Sequence, residues 1–196
     1  MKNESEAPSI ESNLKSLKAN LKILKKKYGR TKEKIQILAI SKNQSAGKLR
    51  KAYNFGQTQF GENYLQEALQ KQRELGDLKI EWHFVGRIQS NKTTDIANNF
   101  SWVHSLERLK IAHRLNDQRG KKLPPLNVLI QINQPGENKN GVAPNKFLEF
   151  SQEIMKLKNL SLRGIMYFPP PSGTFEENRE NYMKVVNLVR TFESFD

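Results

Sequence analysis

The chain has 196 residues, 36% of them hydrophobic, no cysteine and a formal net charge of +13. This length predicts one domain with a sizeable core, and the lack of cysteine excludes disulfides, thiolate metal sites and a cysteine nucleophile. No apolar run approaches the roughly 18 residues of a membrane helix, and the acid-bearing start MKNESEAPSIESN is unlike a secretory signal.

Residues 1–9 read as a polar tail, and a cytoplasmic protein is expected. The charge is uneven: residues 1–50 hold thirteen Lys/Arg against four Asp/Glu, which is +9 of the +13. Such an excess suits an anionic partner. It comes with no zinc-finger spacing, no RNP-like aromatic motif and no Arg-rich arm, so the lysines are expected to solvate exposed faces. Neither a specific nucleic-acid partner nor a membrane partner is expected.

From Ile10 the apolar positions Leu14, Leu17, Leu21, Leu24 and Tyr28 step by 4, 3, 4, 3 and 4 residues, one stripe of a helix. Lysines crowd its last turn, where they oppose the negative end of the helix dipole, and Gly29 stops it. The stripe is expected to pack on the core. Strand-like runs then begin near Gln36, Gln59, Glu81, Trp102, Asn127 and Leu162. Between them lie helical patterns at Ala46–Phe55, Tyr64–Leu75, Lys92–Asn98, Leu106–Arg119, Asn145–Leu157 and Thr174–Phe192. Strands alternating with helices predict βαβ units and a parallel sheet.

An open doubly wound sheet and a (β/α)8 barrel both fit that alternation. No G-x-G-x-x-G or Walker-type segment follows a strand, which weakens the first. Polar residues gather at six strand ends: Ser41–Lys42, Glu62–Asn63, Gly86–Gln89, His104–Ser105, Gln131–Asn133 and Met166–Pro169. A barrel site is assembled from such carboxyl ends, which favours the second. The expected fold class is therefore α/β, of the (β/α)8 TIM-barrel type, but incomplete: six βα units are legible where a barrel has eight. Open barrel edges would invite self-association of an otherwise monomeric chain.

Four segments carry candidate chemistry. In "LAISK" the run Ile35–Lys42 reads as a strand that places Gln36, Leu38, Ile40 and Lys42 on one face. Burial at a barrel rim would favour the neutral, nucleophilic amine of Lys42, the form that makes Schiff bases; a solvated strand cap is the plainer reading. In "FGENYLQEA", Glu62 and Glu67 suit a helix N-terminus, and Asn63 can orient a heteroaromatic ligand through its amide. In "EWHFVGRIQSNK", His83 is expected to be packed and hydrogen-bonded. The three histidines, at 83, 104 and 113, lack metal-ligand spacing, and no metal site is expected. In "FPPPSGTFEE", Thr174-x-x-Glu177 is a capping box, and Ser172–Thr174 offers an anion the helix N-terminus.

Taken together, "LAISK", "FGENYLQE", "WHFVGRIQSNK", "VHSLERLKIAHRLN", "PLNVLIQIN", "ENKNGV" and "LRGIM" resemble, in order and spacing, the pyridoxal phosphate homeostasis proteins, relatives of the alanine racemase N-terminal domain. The resemblance runs from about Leu14 to Met166 and more loosely to the end. It implies a single barrel domain over residues 10–196 that binds pyridoxal 5′-phosphate as a Schiff base on Lys42, with Asn63 beside the cofactor ring. It also implies a role in intracellular homeostasis of that cofactor, without established turnover and with no catalytic residue assigned. A Ser-x-Gly-Met-Ser type segment and an Arg-x-Gly then Phe-Gly segment, which supply the family's phosphate cup, have no counterpart here, so the chain is expected to lack its last βα units. Two other functions compete: a pyridoxal phosphate-dependent amino-acid racemase or lyase, and a basic protein binding nucleic acid or an anionic surface.

Overall fold

A computed structural model describes residues 9–133, 140–170 and 173–193. The polar tail, all but Ser9, lies outside them, as do Ser172 and the first half of "ENKNGV". Helices α1 (Ile10–Lys27), α2 (Ala46–Asn54), α3 (Leu65–Glu74), α4 (Thr93–Asn99), α5 (Leu109–Gln118), α6 (Phe147–Met155) and α7 (Phe175–Glu193) alternate with six strands. The strands are β1 (Ala39–Ile40), β2 (Gln59–Glu62), β3 (Glu81–Phe84), β4 (Trp102–Leu106), β5 (Leu126–Gln131) and β6 (Leu160–Met166). This is the barrel-type α/β alternation with the six units expected. Among the described residues, neither β1 nor β6 pairs with a further strand, so the ladder is not closed. No helix among them is long and apolar enough to cross a membrane.

The chain divides into two compact units, residues 1–61 with 66–81 and residues 62–65 with 82–196. In the first, β1 pairs in parallel with β2, Ala39 against Phe60 and Ile40 against Gly61. Leu49, Ala52, Phe60, Ala68 and Leu75 are buried there. The expectation that the α1 stripe packs on a core is corrected: no residue of α1 is buried, and Leu17, Leu24 and Tyr28 are 49%, 48% and 62% exposed. The helix lies along α2 and tucks in Ile10, Leu14 and Leu21 of the stripe, each half-buried. Ser9 caps its N-terminus by accepting from the Ser12 N–H, and Gly29 ends the segment in the left-handed region at φ 68°.

In the second unit β3–β4, β4–β5 and β5–β6 are all parallel. Along β5 burial alternates: Leu126, Val128 and Ile130 are fully buried, whereas Asn127, Leu129 and Gln131 face the other side and are half-exposed. Ile96, Ala97, Ile111, Leu115, Phe150 and Ile154 of the helices in this unit are buried as well, as expected of strands covered by amphipathic helices. Arg119 stitches this unit: its guanidinium donates to the carbonyls of Ala97, Phe100 and Pro124. The capping box forms, with the Thr174 N–H donating to Glu177 (2.7 Å) and the Glu177 N–H to Thr174 Oγ1 (3.3 Å).

His83 is 5% exposed, as anticipated, and its Nδ1 lies 2.8 Å from His104 Nε2. The Trp102 ring stacks on it, centroids 5.5 Å apart. Burial lowers both imidazoles from their usual 6.5 to about 4, and for His104 the neighbouring His83 adds to the effect. The folded-state values lie below the unfolded-state value, so the neutral pair stabilises the fold fully above about pH 6.5 and that contribution is lost as the pH falls through 4. Denaturant titrations should show stability falling across this window by about 3 kcal/mol for each imidazole, and His104→Gln should remove about half of that fall, the buried His83 supplying the rest.

Candidate functional site

Lys42 lies in the first unit and Asn63 in the second. The strand expected over Ile35–Lys42 is shorter: β1 holds only Ala39 and Ile40, and Lys42 stands in a turn, exposed. The reason is local. The Ser41 N–H is the last ladder donor, reaching the Gly61 carbonyl at 2.9 Å, and Asn43 then takes the left-handed conformation at φ 60°. Asparagine is among the few non-glycine residues that adopt it readily. The amine is thus presented to solvent by a bend, in line with the solvated strand-end reading rather than burial at a rim.

The backbone around Lys42 is nevertheless fixed on both sides. Lys71 on α3, 5% exposed, donates to the Ser41 carbonyl at 2.6 Å and to Glu67 Oε1 at 2.7 Å. The same Glu67 oxygen accepts the Asn43 N–H at 2.6 Å. These hydrogen bonds hold the Glu67 carboxyl below its usual range against the opposing effect of burial, which is the largest single influence on it. A carboxylate and an ammonium one helical turn apart therefore grip the residues flanking Lys42. Sequence reasoning gave Glu67 only a helix-dipole role and passed over Lys71; the i, i+4 spacing was the available signal.

In the second unit a cavity of about 310 Å³ opens at the carboxyl ends of the strands, lined by Asn63, Arg87, Ser105, Glu107, Gln131 and Met166 among others. Four of the six polar strand ends read from the sequence thus supply lining residues along with Asn63. Gly86 makes this possible: a Cβ there would lie 2.0 Å from the Asn63 carbonyl oxygen, so only hydrogen fits. Ser105 Oγ donates to the Gly86 carbonyl, fixing the loop from the other side. Glu107 accepts the Gly141 N–H at 2.8 Å and thereby holds the Asn140–Val142 segment at the rim. Glu107 and Arg87 were not singled out as site residues from the sequence.

The chain matches the family "Alanine racemase, N-terminal domain" over residues 12–194. A pyridoxal phosphate homeostasis protein of Vibrio alginolyticus is 42% identical over 191 residues, 95% of this chain and 82% of that protein. This chain belongs to the pyridoxal phosphate homeostasis protein family. A second family member, from Pseudomonas aeruginosa, is 51% identical over 146 residues, 74% of this chain; that match spans 64% of the relative, under two-thirds of its length. Among solved structures, PipY of Synechococcus elongatus PCC7942 without pyridoxal phosphate superposes with a TM-score of 0.83 at 30% identity, covering 95% of this chain and 83% of PipY. PipY with pyridoxal phosphate bound gives 0.79 at 29% identity, covering 94% and 84%.

In the first unit an exposed primary amine is the kind of group that condenses with an aldehyde, and in the second Asn63 carries an amide of the kind that hydrogen-bonds ring heteroatoms. The grip on the Lys42 turn has a measurable energy. Lys71→Met leaves the Ser41 carbonyl without its 2.6 Å donor and Glu67 without its cation, and should cost about 3 kcal/mol in chemical denaturation. The exposed Arg50–Asp77 pair of the same unit is the control: Arg50→Met should cost under about 1 kcal/mol.

Proposed function

We propose that this chain binds pyridoxal 5′-phosphate and takes part in its homeostasis, with Lys42 as the covalent anchor and Asn63 as the hydrogen-bonding partner of the ring. The observation that carries this reading is the Lys42 amine itself, exposed on a turn whose two flanking peptides are pinned, in a chain related to PipY, which has been solved with pyridoxal phosphate bound. When bound, the cofactor supplies an aldehyde carbon open to attack and a conjugated ring that absorbs visible light. Lys42 would be the residue that holds it, its Nζ the nucleophile toward that carbon, with the carbonyl oxygen lost as water. Pinning the turn limits the backbone freedom the amine has to lose on attachment.

The homeostatic role follows from reversibility. A lysine that condenses with an aldehyde and releases it by hydrolysis stores the cofactor without consuming it. Nothing in this reading requires a proton to be taken from a substrate.

The test is to incubate the chain with pyridoxal 5′-phosphate, record the visible spectrum, reduce with borohydride and locate the adduct by peptide mass analysis. The expected result is one dominant adduct on Lys42 and loss of the visible band in Lys42→Ala. Adducts scattered over surface lysines, with the band retained in Lys42→Ala, would reject the assignment.

A further inference from the structure

Next to the strand-end cavity, the second unit carries a cleft of about 430 Å³ lined by Arg87, Ile88, Gln89, Ser90, Asn91 and Arg108. Its polar lining consists of two guanidiniums, two amides and one hydroxyl, with no carboxylate among the lining residues. Arg108 is set in place from behind. Its Nη2 donates to the Ile88 carbonyl at 2.6 Å, and its Nε lies 3.9 Å from Glu107, too far for a close pair. Glu107 is itself occupied by the Gly141 N–H. Arg87 is exposed and has no hydrogen-bond or ion-pair partner among the described residues.

We propose that this cleft is a binding site for a small molecule bearing an oxyanion, a phosphoryl group or a carboxylate, gripped between Arg87 and Arg108. Guanidinium groups present paired N–H donors that match such oxygens two at a time. One of the two is already oriented by the Ile88 carbonyl, so less freedom is lost when a ligand arrives. Gln89, Ser90 and Asn91 add neutral donors that suit the remaining oxygens. Because Arg87 also lines the neighbouring cavity of about 310 Å³, an oxyanion held in the cleft leaves the body of its molecule free to extend toward Asn63. The site does not depend on Lys42, so it stands or falls separately from the covalent anchor.

Phosphate and carboxylate sources separate in one experiment: calorimetric titration of the full chain, at low ionic strength, with inorganic phosphate and with succinate. Saturable binding of at least one anion is expected, unchanged in Lys42→Ala and about tenfold weaker in Arg87→Gln, the equivalent of one charge-assisted hydrogen bond. Since Arg87 has no partner, its replacement should leave the thermal midpoint in place. Tighter phosphate than succinate would assign the cleft to phosphorylated ligands, and the reverse order to carboxylic acids; either supports it. Absence of saturable binding by both anions, or equal binding by the parent chain and Arg87→Gln, would overturn the proposal.

Discussion

A parallel strand can be followed by another only if the chain returns to the end from which the first began. That single constraint orders much of what is seen here. Helices α2 to α6 each carry the chain back between consecutive strands, and every loop leaving a strand emerges on the carboxyl side. In the second unit it places Asn63, Arg87, Ser105, Glu107 and Gln131, which come from four different loops or strand ends, around one cavity. In the first it leaves Ser41, Lys42 and Asn43 immediately after β1. Of these, Lys42, Asn63, Arg87 and Glu107 lie just beyond the strand ends, where side chains can serve chemistry without disturbing the ladder.

The two lysines of the first unit show how environment divides one residue type between duties. Lys71 is buried, its ammonium spent on a carboxylate and a backbone carbonyl; in that setting it is a structural cation, costly to remove and closed to ligands. Lys42 is exposed and follows the backbone that Lys71 holds. A buried ion pair is weak evidence for net stability, but this one fixes two peptide groups on either side of a presented amine. Its contribution is to position as well as to stabilise.

The sequence made the alternation legible because period-3.6 and period-2 patterns are local. Strand starts at Gln59, Glu81 and Trp102, the α2 start at Ala46 and the Thr174–Glu177 box are where the pattern put them. Pairing was less legible. Ile35 to Leu38 have strand composition, yet the β1–β2 ladder covers only two residue pairs, since a strand is defined by partners that lie elsewhere in the chain. The α1 stripe is periodic, but periodicity does not say how much surface awaits it, and half the stripe stays exposed. For the site, Lys42 and Asn63 were named through resemblance, whereas Glu67 and Lys71 are intelligible only once α3 is seen beside the Ser41–Asn43 turn. Asn43 carried a hint, being a residue that tolerates positive φ, though not which side chain would meet its N–H.

Gly86 has a consequence of a different order. The obstruction to any larger residue there is the Asn63 main chain rather than a side chain, so repacking of neighbours cannot relieve it. Accommodating a methyl group would require the segment that aims Asn63 to move. Over the history of such a chain, positions 63 and 86 are therefore bound to each other: drift at the glycine re-aims the asparagine, and the freedom to change one is set by what the other is required to do.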